Sequence, residues 1–449
     1  MKTRRPTRVA ALVTAVLAAA FVAAPVAVAE ATRHYTGTLP SGASWVADVP
    51  GEWNGTVILY SHGFGPLEPR NAPDSETGQA LLDGGYALVG SSYSGPSWWA
   101  LESAVRDQFA SLDALTGEIG APRRTIAWGT SMGGLVSALE AEDGRHRVVG
   151  ALTTCGLVAG ALNLDNYQLD GEYALSRLLA PGQGIKLVRY TGPEEAAAAG
   201  AALTKVTADA QATPAGRARI ALAAALMNVP TWFTGATPPG PRDYATQETH
   251  QEAALTAFVL NFTMSGRYQI ELAAGGNSSF TAGVDYRALL RGSSHTQQVR
   301  ALYRQAGLDL DADLATLTRD ANITADPGAI RTLARTSTPT GRLQVPELNL
   351  HTVADQLVPV EQENWYGHVV AAAGRGHLLR QAYVQGTGHC AFQPAETIAG
   401  LHALEKRVAT GRWDDATTPE RLNAAAGTGR YLWYQPPALT GGLGEPGRR

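Results

Sequence analysis

Charge is scarce in this sequence. Asp, Glu, Lys and Arg make up 17% of the 449 residues, and the acids outnumber the bases by 40 to 36. A chain without a basic excess has no general electrostatic hold on nucleic acid or on an anionic membrane surface, so neither is an expected partner. There is no Cys-x-x-Cys pair, no His-Glu-x-x-His helix and no phosphate-cradling P-loop, which removes the commonest zinc and nucleotide signatures. Asp309-x-Asp311-x-Asp313 starts like a calcium loop. Leu314, however, stands where the tight-turn glycine belongs and Asp320 replaces the terminal Glu, so the run reads as a solvated helix start. No metal and no cofactor is expected. Internal repeats and long low-complexity tracts are also missing, and past the first residues no window approaches a membrane-spanning apolar run.

What the N-terminus does contain is an export signal. Lys2, Arg4, Arg5 and Arg8 precede an apolar run from Val9 to Ala24, and Ala27-Val28-Ala29 supplies a small-x-small cleavage site. The expected product is a secreted protein cleaved near Ala29 and sent by the general secretory route. Losing four basic and no acidic residues leaves 32 bases against 40 acids, a formal charge of −8.

The stretch with most chemical content is Arg124–Leu135, RTIAWGTSMGGL. Apolar Ile126-Ala127-Trp128 predicts a strand, and small and apolar residues after Ser131 predict a helix, with Gly-x-Ser-x-Gly at the turn between them. A serine on so sharp a turn crowds its neighbours, so Gly129 and Gly133 are small because side chains there would clash. The helix behind it points unpaired N–H groups at any negative charge that develops near Ser131. Further strands are predicted at Thr56–Tyr60, Tyr86–Gly90, Arg147–Leu152, Glu347–His351 and Gln381–Val384, with helices between the early ones, including Leu101–Ile119. Short buried strands alternating with helices imply a parallel sheet covered on both faces. From about 157 to 340 the rhythm changes to helices and loops, with Ala-rich helices at Ala196–Ala212 and Ile220–Met227; this is read as a helical cap inserted between two strands.

A serine at neutral pH needs a base, and the base needs an acid to orient it. Asp355, in the Ala354-Asp355-Gln356-Leu357-Val358-Pro359 turn after a strand, is preferred over Asp165 and Asp170. His389, in Gly386-Thr387-Gly388-His389-Cys390 after the next strand, is preferred over His62 (before a turn), His351 (within a strand) and His368, His377 and His402 (helical or surface-like). Two backbone donors for a developing oxyanion are expected from Met132 and from Phe64 in His62-Gly63-Phe64-Gly65.

These four motifs, in this order, resemble the α/β-hydrolase superfamily. The likeness covers roughly residues 45–155 and 340–405. It implies a mostly parallel sheet flanked by helices, with the first part of the core at 30–156, the cap at 157–340 and the second part with a tail at 341–449. It also implies acyl transfer to water through an acyl-serine, with Ser131, His389 and Asp355 as nucleophile, base and acid. Cys155 and Cys390 each lie beside a motif, an arrangement similar to tannases and feruloyl esterases, in which a disulfide ties the histidine loop to the cysteine beside the nucleophile. The resemblance therefore implies a Cys155–Cys390 bridge, although here Thr130, not a cysteine, precedes Ser131. Tyr93, Trp98 and Trp99, after the Val89 strand, are the candidates for a substrate pocket. The expected substrate is a small or polymeric carboxylic ester. Hydrolysis of short peptides and of an extracellular polyester are the alternatives, with a non-catalytic binding protein on the same fold a more distant one. Nothing demands more than a monomer.

Overall fold

In the computed structural model, residues 1–3, 31–143, 146–444 and 447–448 are described. The segment expected to be an export signal lies outside them from residue 4 onward. Nine strands form one sheet: β1 (Arg33–Thr38), β2 (Ser44–Val49), β3 (Thr56–Ser61), β4 (Ala87–Ser91), β5 (Arg124–Thr130), β6 (Gly150–Thr154), β7 (Glu347–Ala354), β8 (Leu379–Thr387) and β9 (Tyr431–Leu432). Their spatial order is β1-β2-β4-β3-β5-β6-β7-β8-β9. Pairing is parallel from β4 through β8 and antiparallel at the ends, β1/β2, β2/β4 and β8/β9.

The central strands are apolar along their whole length because both faces are covered. All six residues of β3 and all five of β4 and β6 are buried. Alternation divides their side chains. Val57 and Leu59 pack on one face with Val89, Ala127 and Ala151, while Ile58 and Tyr60 pack on the other with Leu88, Ile126, Trp128 and Leu152. The chain leaves β3 for β4 on one side and returns to β5 on the other. That reversal opens a crevice beyond the carboxyl ends of β3 and β5, where such sheets carry ligands.

Between β6 and β7 the chain builds a helical block. Its centre is the helix Gly160–Leu179, buried along nearly its whole length, and Pro193–Ala210, Pro214–Leu226 and Leu260–Ala274 are among the helices around it. Asp165 and Glu172 of the central helix hold the fully buried Arg267, at 3.5 and 2.8 Å. The chain's end returns to this block and not to the sheet. Thr440 exchanges two hydrogen bonds with Asn228, and the Leu443 N–H donates to Asn163.

Two strand readings need correction. The strand placed at Arg147–Leu152 begins at Gly150, where the chain first pairs with both neighbours, Gly150 opposite Ile126 and Ala151 opposite Glu347. The hairpin of β1 and β2 was not foreseen. β1 carries half-exposed and exposed residues only, so it lacks the apolar run that marked the inner strands.

Glu347, at the start of β7, is fully buried and accepts from Tyr366 Oη (2.7 Å) and Thr153 Oγ1 (3.0 Å). Burial pushes its carboxyl up to about 8, against which the two hydrogen bonds work. A carboxyl whose folded pKa lies above its unfolded value stabilises fully below the unfolded value and loses that contribution as pH rises through the folded one. Thermal melts are therefore expected to show wild-type stability falling between about pH 4.5 and 8, and Glu347→Gln flattening that decline by a few degrees. An identical slope in the variant would assign the decline to other groups.

Candidate active site

Ser131 stands between β5 and the helix Met132–Asp143 with φ of 60°, a region that disfavours a residue with a side chain. The surroundings enforce it. A Cβ on Gly129 would come within 1.7 Å of the Gly133 carbonyl oxygen, and one on Gly133 within 1.9 Å of the Ser61 carbonyl oxygen. The glycines let the helix press onto the end of β3. The Ser131 N–H donates to the Thr154 carbonyl at 3.0 Å, which ties the turn to β6 as well.

Asp355 and His389 arrive from the ends of β7 and β8. Asp355 is 1% exposed; its Oδ1 accepts the N–H groups of Leu357 and Val358, both at 2.9 Å, which leaves Oδ2 directed at His389. His389 Nδ1 lies 2.7 Å from Asp355 Oδ2 and its Nε2 lies 2.8 Å from Ser131 Oγ. The donor pattern that satisfies every atom has Nδ1–H donating to the carboxylate and Ser131 Oγ–H donating to Nε2. The histidine loop is fastened to β7, with Gly388 N–H on the Ala354 carbonyl (3.2 Å) and Thr352 Oγ1 on the Gly388 carbonyl (3.0 Å). A disulfide then joins Cys390 to Cys155, whose Cα atoms are 5.2 Å apart. Cys155 and Cys390 share the positive φ of Ser131. The sulfurs lie near His389, yet bonded to each other they are not thiolates and make no metal-ligand set.

The His62-Gly63-Phe64 turn abuts the nucleophile: a Cβ on Gly63 would stand 3.2 Å from Ser131 Cβ. Among the described residues, neither the Phe64 nor the Met132 N–H has a hydrogen-bond acceptor. For Met132 the reason is general, since the first N–H groups of a helix have no partner within it. Tyr93 underpins this turn. Its ring stacks on His62 at 4.2 Å and its hydroxyl donates to the His62 carbonyl at 3.0 Å.

A narrow cavity begins at Ser131 and His389. Phe64, Trp99, Leu157 and Leu357 wall it near the sheet; Leu164 and Gln168 of the helix Gly160–Leu179 and Phe262, Thr263 and Ile270 of Leu260–Ala274 close it from the helical block. Of the three aromatic residues expected at a pocket, only Trp99 lines this one. Tyr93 is buried beneath the Phe64 turn, and Trp98 is 43% exposed with its ring edge-on to Phe64. The contributions of the helical block were missed because Leu164/Gln168 and Thr263/Ile270 show only the three- to four-residue spacing of any packed helix.

His351, set aside as a strand residue, also bears on the site. It is fully buried, its Nε2 faces the Val358 carbonyl (2.8 Å) and its Nδ1 faces Glu363 Oε1 (3.2 Å). Burial opposes its charge, but Glu363 and Asp355 outweigh burial and raise its pKa. Both ring nitrogens face acceptors, and the ring braces the turn that aims Asp355.

No protein-family model matches the chain. It is 30% identical over 420 residues to o-phthalyl amidase of Xanthobacter agilis, covering 87% of this chain and 90% of that one. Solved structures similar to it include an esterase from Aspergillus oryzae (14% identity, TM-score 0.43, 83% of this chain and 78% of that one). An acylaminoacyl peptidase is a second (13% identity, TM-score 0.36, 80% of this chain but 37% of the peptidase). Among the described residues no helix is long and apolar enough to cross a membrane.

Two variants test the scaffold. Gly133→Ala is expected to destabilise by roughly 3–5 kcal/mol, as a forced backbone clash does, and a denaturant titration measures it. Replacing Cys155 and Cys390 together by serine is expected to cost about 2–4 kcal/mol and to lower kcat by loosening the His389 loop. Unchanged melting and unchanged kcat would mean that the hydrogen bonds to β7 hold that loop alone.

Proposed function

This chain belongs to the α/β-hydrolase superfamily, and we propose that it is a serine hydrolase cleaving carboxylic esters of compact, largely apolar acyl groups. The observation that carries this reading is the hydrogen-bonded series Ser131–His389–Asp355, at 2.8 and 2.7 Å. His389 takes the Ser131 proton as Oγ attacks the scissile carbonyl, and Asp355 orients the ring and stabilises the imidazolium that forms. The carbonyl oxygen becomes negative beside the Phe64 and Met132 N–H groups, donors already in place that need no reorganisation. His389 then gives the proton to the leaving group, and a water deprotonated by the same nitrogen releases the acid from Ser131.

The apolar walls support a compact acyl group, since Phe64, Trp99, Leu164 and Ile270 offer contact area and few polar partners. A second reading, amide hydrolysis, is favoured by the similarity to o-phthalyl amidase, and the same Ser131 chemistry serves it. We further propose secretion, which the N-terminal signal supports.

The mature protein is expected to hydrolyse p-nitrophenyl acetate, butyrate and benzoate faster than palmitate, with matched anilides reporting amide cleavage. Ser131→Ala is expected to lower kcat by at least about 10⁴-fold. Full turnover in that variant would refute the mechanism, and anilide turnover exceeding ester turnover would move the reading to an amidase.

A further inference from the structure

The buried polar side chains of the helix Gly160–Leu179 have partners, with one exception. Asn163 donates to the Ala159 carbonyl (2.7 Å), Asn166 to the Leu162 carbonyl (2.7 Å), Asp165 accepts from Ser278, Asp170 from Tyr286 (3.1 Å) and Glu172 from Thr263 (2.8 Å). Gln168 is 6% exposed, against 2% or less for those five, and its amide makes no hydrogen bond among the described residues. It faces the cavity above Ser131. The amide is not sealed off from solvent as the fold's buried unpartnered groups are; it stays open to the cavity, so its hydrogen-bond partner is whatever occupies that space.

We propose that Gln168 is a specificity-determining residue of the acyl pocket, pairing with a neutral carbonyl or carboxamide group on the acyl part of the substrate, away from the scissile bond. This deepens the serine-hydrolase reading and rests on it. Apart from the reacting Ser131 and His389, the cavity wall carries polar side-chain groups on Gln168, Thr263 and Trp99; the Thr263 hydrogen is committed to Glu172 and the Trp99 indole N–H to Ser337 Oγ (3.1 Å). Gln168 is thus the remaining side-chain donor. Its amide also carries an acceptor, so a carboxamide matches both of its functions.

The preference for a neutral group follows from the charges behind the wall. No lysine or arginine lines the cavity. Arg267, buried in the same block, already faces Asp165 and Glu172, two carboxylates sharing one guanidinium. A carboxylate brought to Gln168 would be desolvated near that pair without a cation of its own, whereas a carboxamide would lose only hydrogen bonds that Gln168 replaces.

The test compares p-nitrophenyl benzoate with its carbamoyl- and carboxy-substituted analogues at each ring position, corrected for uncatalysed hydrolysis, in wild type and Gln168→Leu. The readout is the kcat/KM ratio within each protein, and fluorophosphonate labelling of Ser131 reports that the variant is folded. For wild type, the best carbamoyl isomer is expected to exceed benzoate by roughly tenfold, the scale of one satisfied buried hydrogen bond, and to exceed its carboxy counterpart. In Gln168→Leu the carbamoyl advantage is expected to fall to near parity. Turnover and labelling with the ratio unchanged in the variant, or a wild type that prefers the carboxy series, overturns the inference alone. Absence of both turnover and labelling in wild type overturns the hydrolase reading, and the inference with it.

Discussion

The close approach of backbone to backbone at the Ser131 turn is the constraint on which the rest of this structure depends. With φ of 60° at Ser131 and no room for a Cβ at Gly129 or Gly133, the helix Met132–Asp143 starts against the end of β3. Its unpaired N–H groups are then fixed beside the nucleophile, next to the Phe64 turn. A larger residue at either glycine would lift the helix from the sheet and take the Met132 N–H away from the place where charge develops in the proposed reaction. The strain at Ser131 persists because β3, β5 and β6 over-determine the turn.

His389 and Asp355 are held by different means. Asp355 is fixed within its own turn, by two N–H groups and by the ring of His351 against the Val358 carbonyl. His389 sits on a loop that leaves the sheet, and it needs ties from outside: the hydrogen bonds to β7 and the bridge from Cys390 to Cys155. The bridge closes a chain of contacts, since Cys155 follows the strand whose Thr154 carbonyl accepts from the Ser131 N–H. Ser131 and His389 are therefore referenced to the same piece of β6.

Chemistry and recognition divide between the two parts of the fold. The sheet supplies the groups proposed to react, and the helical block supplies the far wall of the cavity, most of it apolar. Excluding water there strengthens the interactions around Ser131. The block can hold that wall in place because its own buried charges are paired, Arg267 with Asp165 and Glu172, and because the end of the chain is pinned across it by Asn228 and Asn163. A fold of this kind can keep its reacting residues and change its substrate by changing the block.

Local strain and strand burial are written in contiguous residues, and this is why so much was legible without coordinates. Glycines four apart around a serine, continuous apolar runs and an aspartate or histidine just past a strand each describe a few neighbouring positions, and by themselves they determined the inner strands, the Ser131 turn and the residues placed beside it. The hairpin of β1 and β2 escaped because β1 buries none of its residues and β2 buries only alternate ones, so neither carries a continuous apolar run. The cavity escaped for a stronger reason. Trp99, Leu164 with Gln168, and Phe262 come from three separate segments, and Tyr93 and Trp98, close in sequence to Trp99, turn elsewhere. Which side chains share a space depends on helix packing angles and on pairings such as that of Asp165 and Glu172 with Arg267, set by contacts about a hundred positions apart. Only the tertiary structure decided those, because no local backbone preference encodes them.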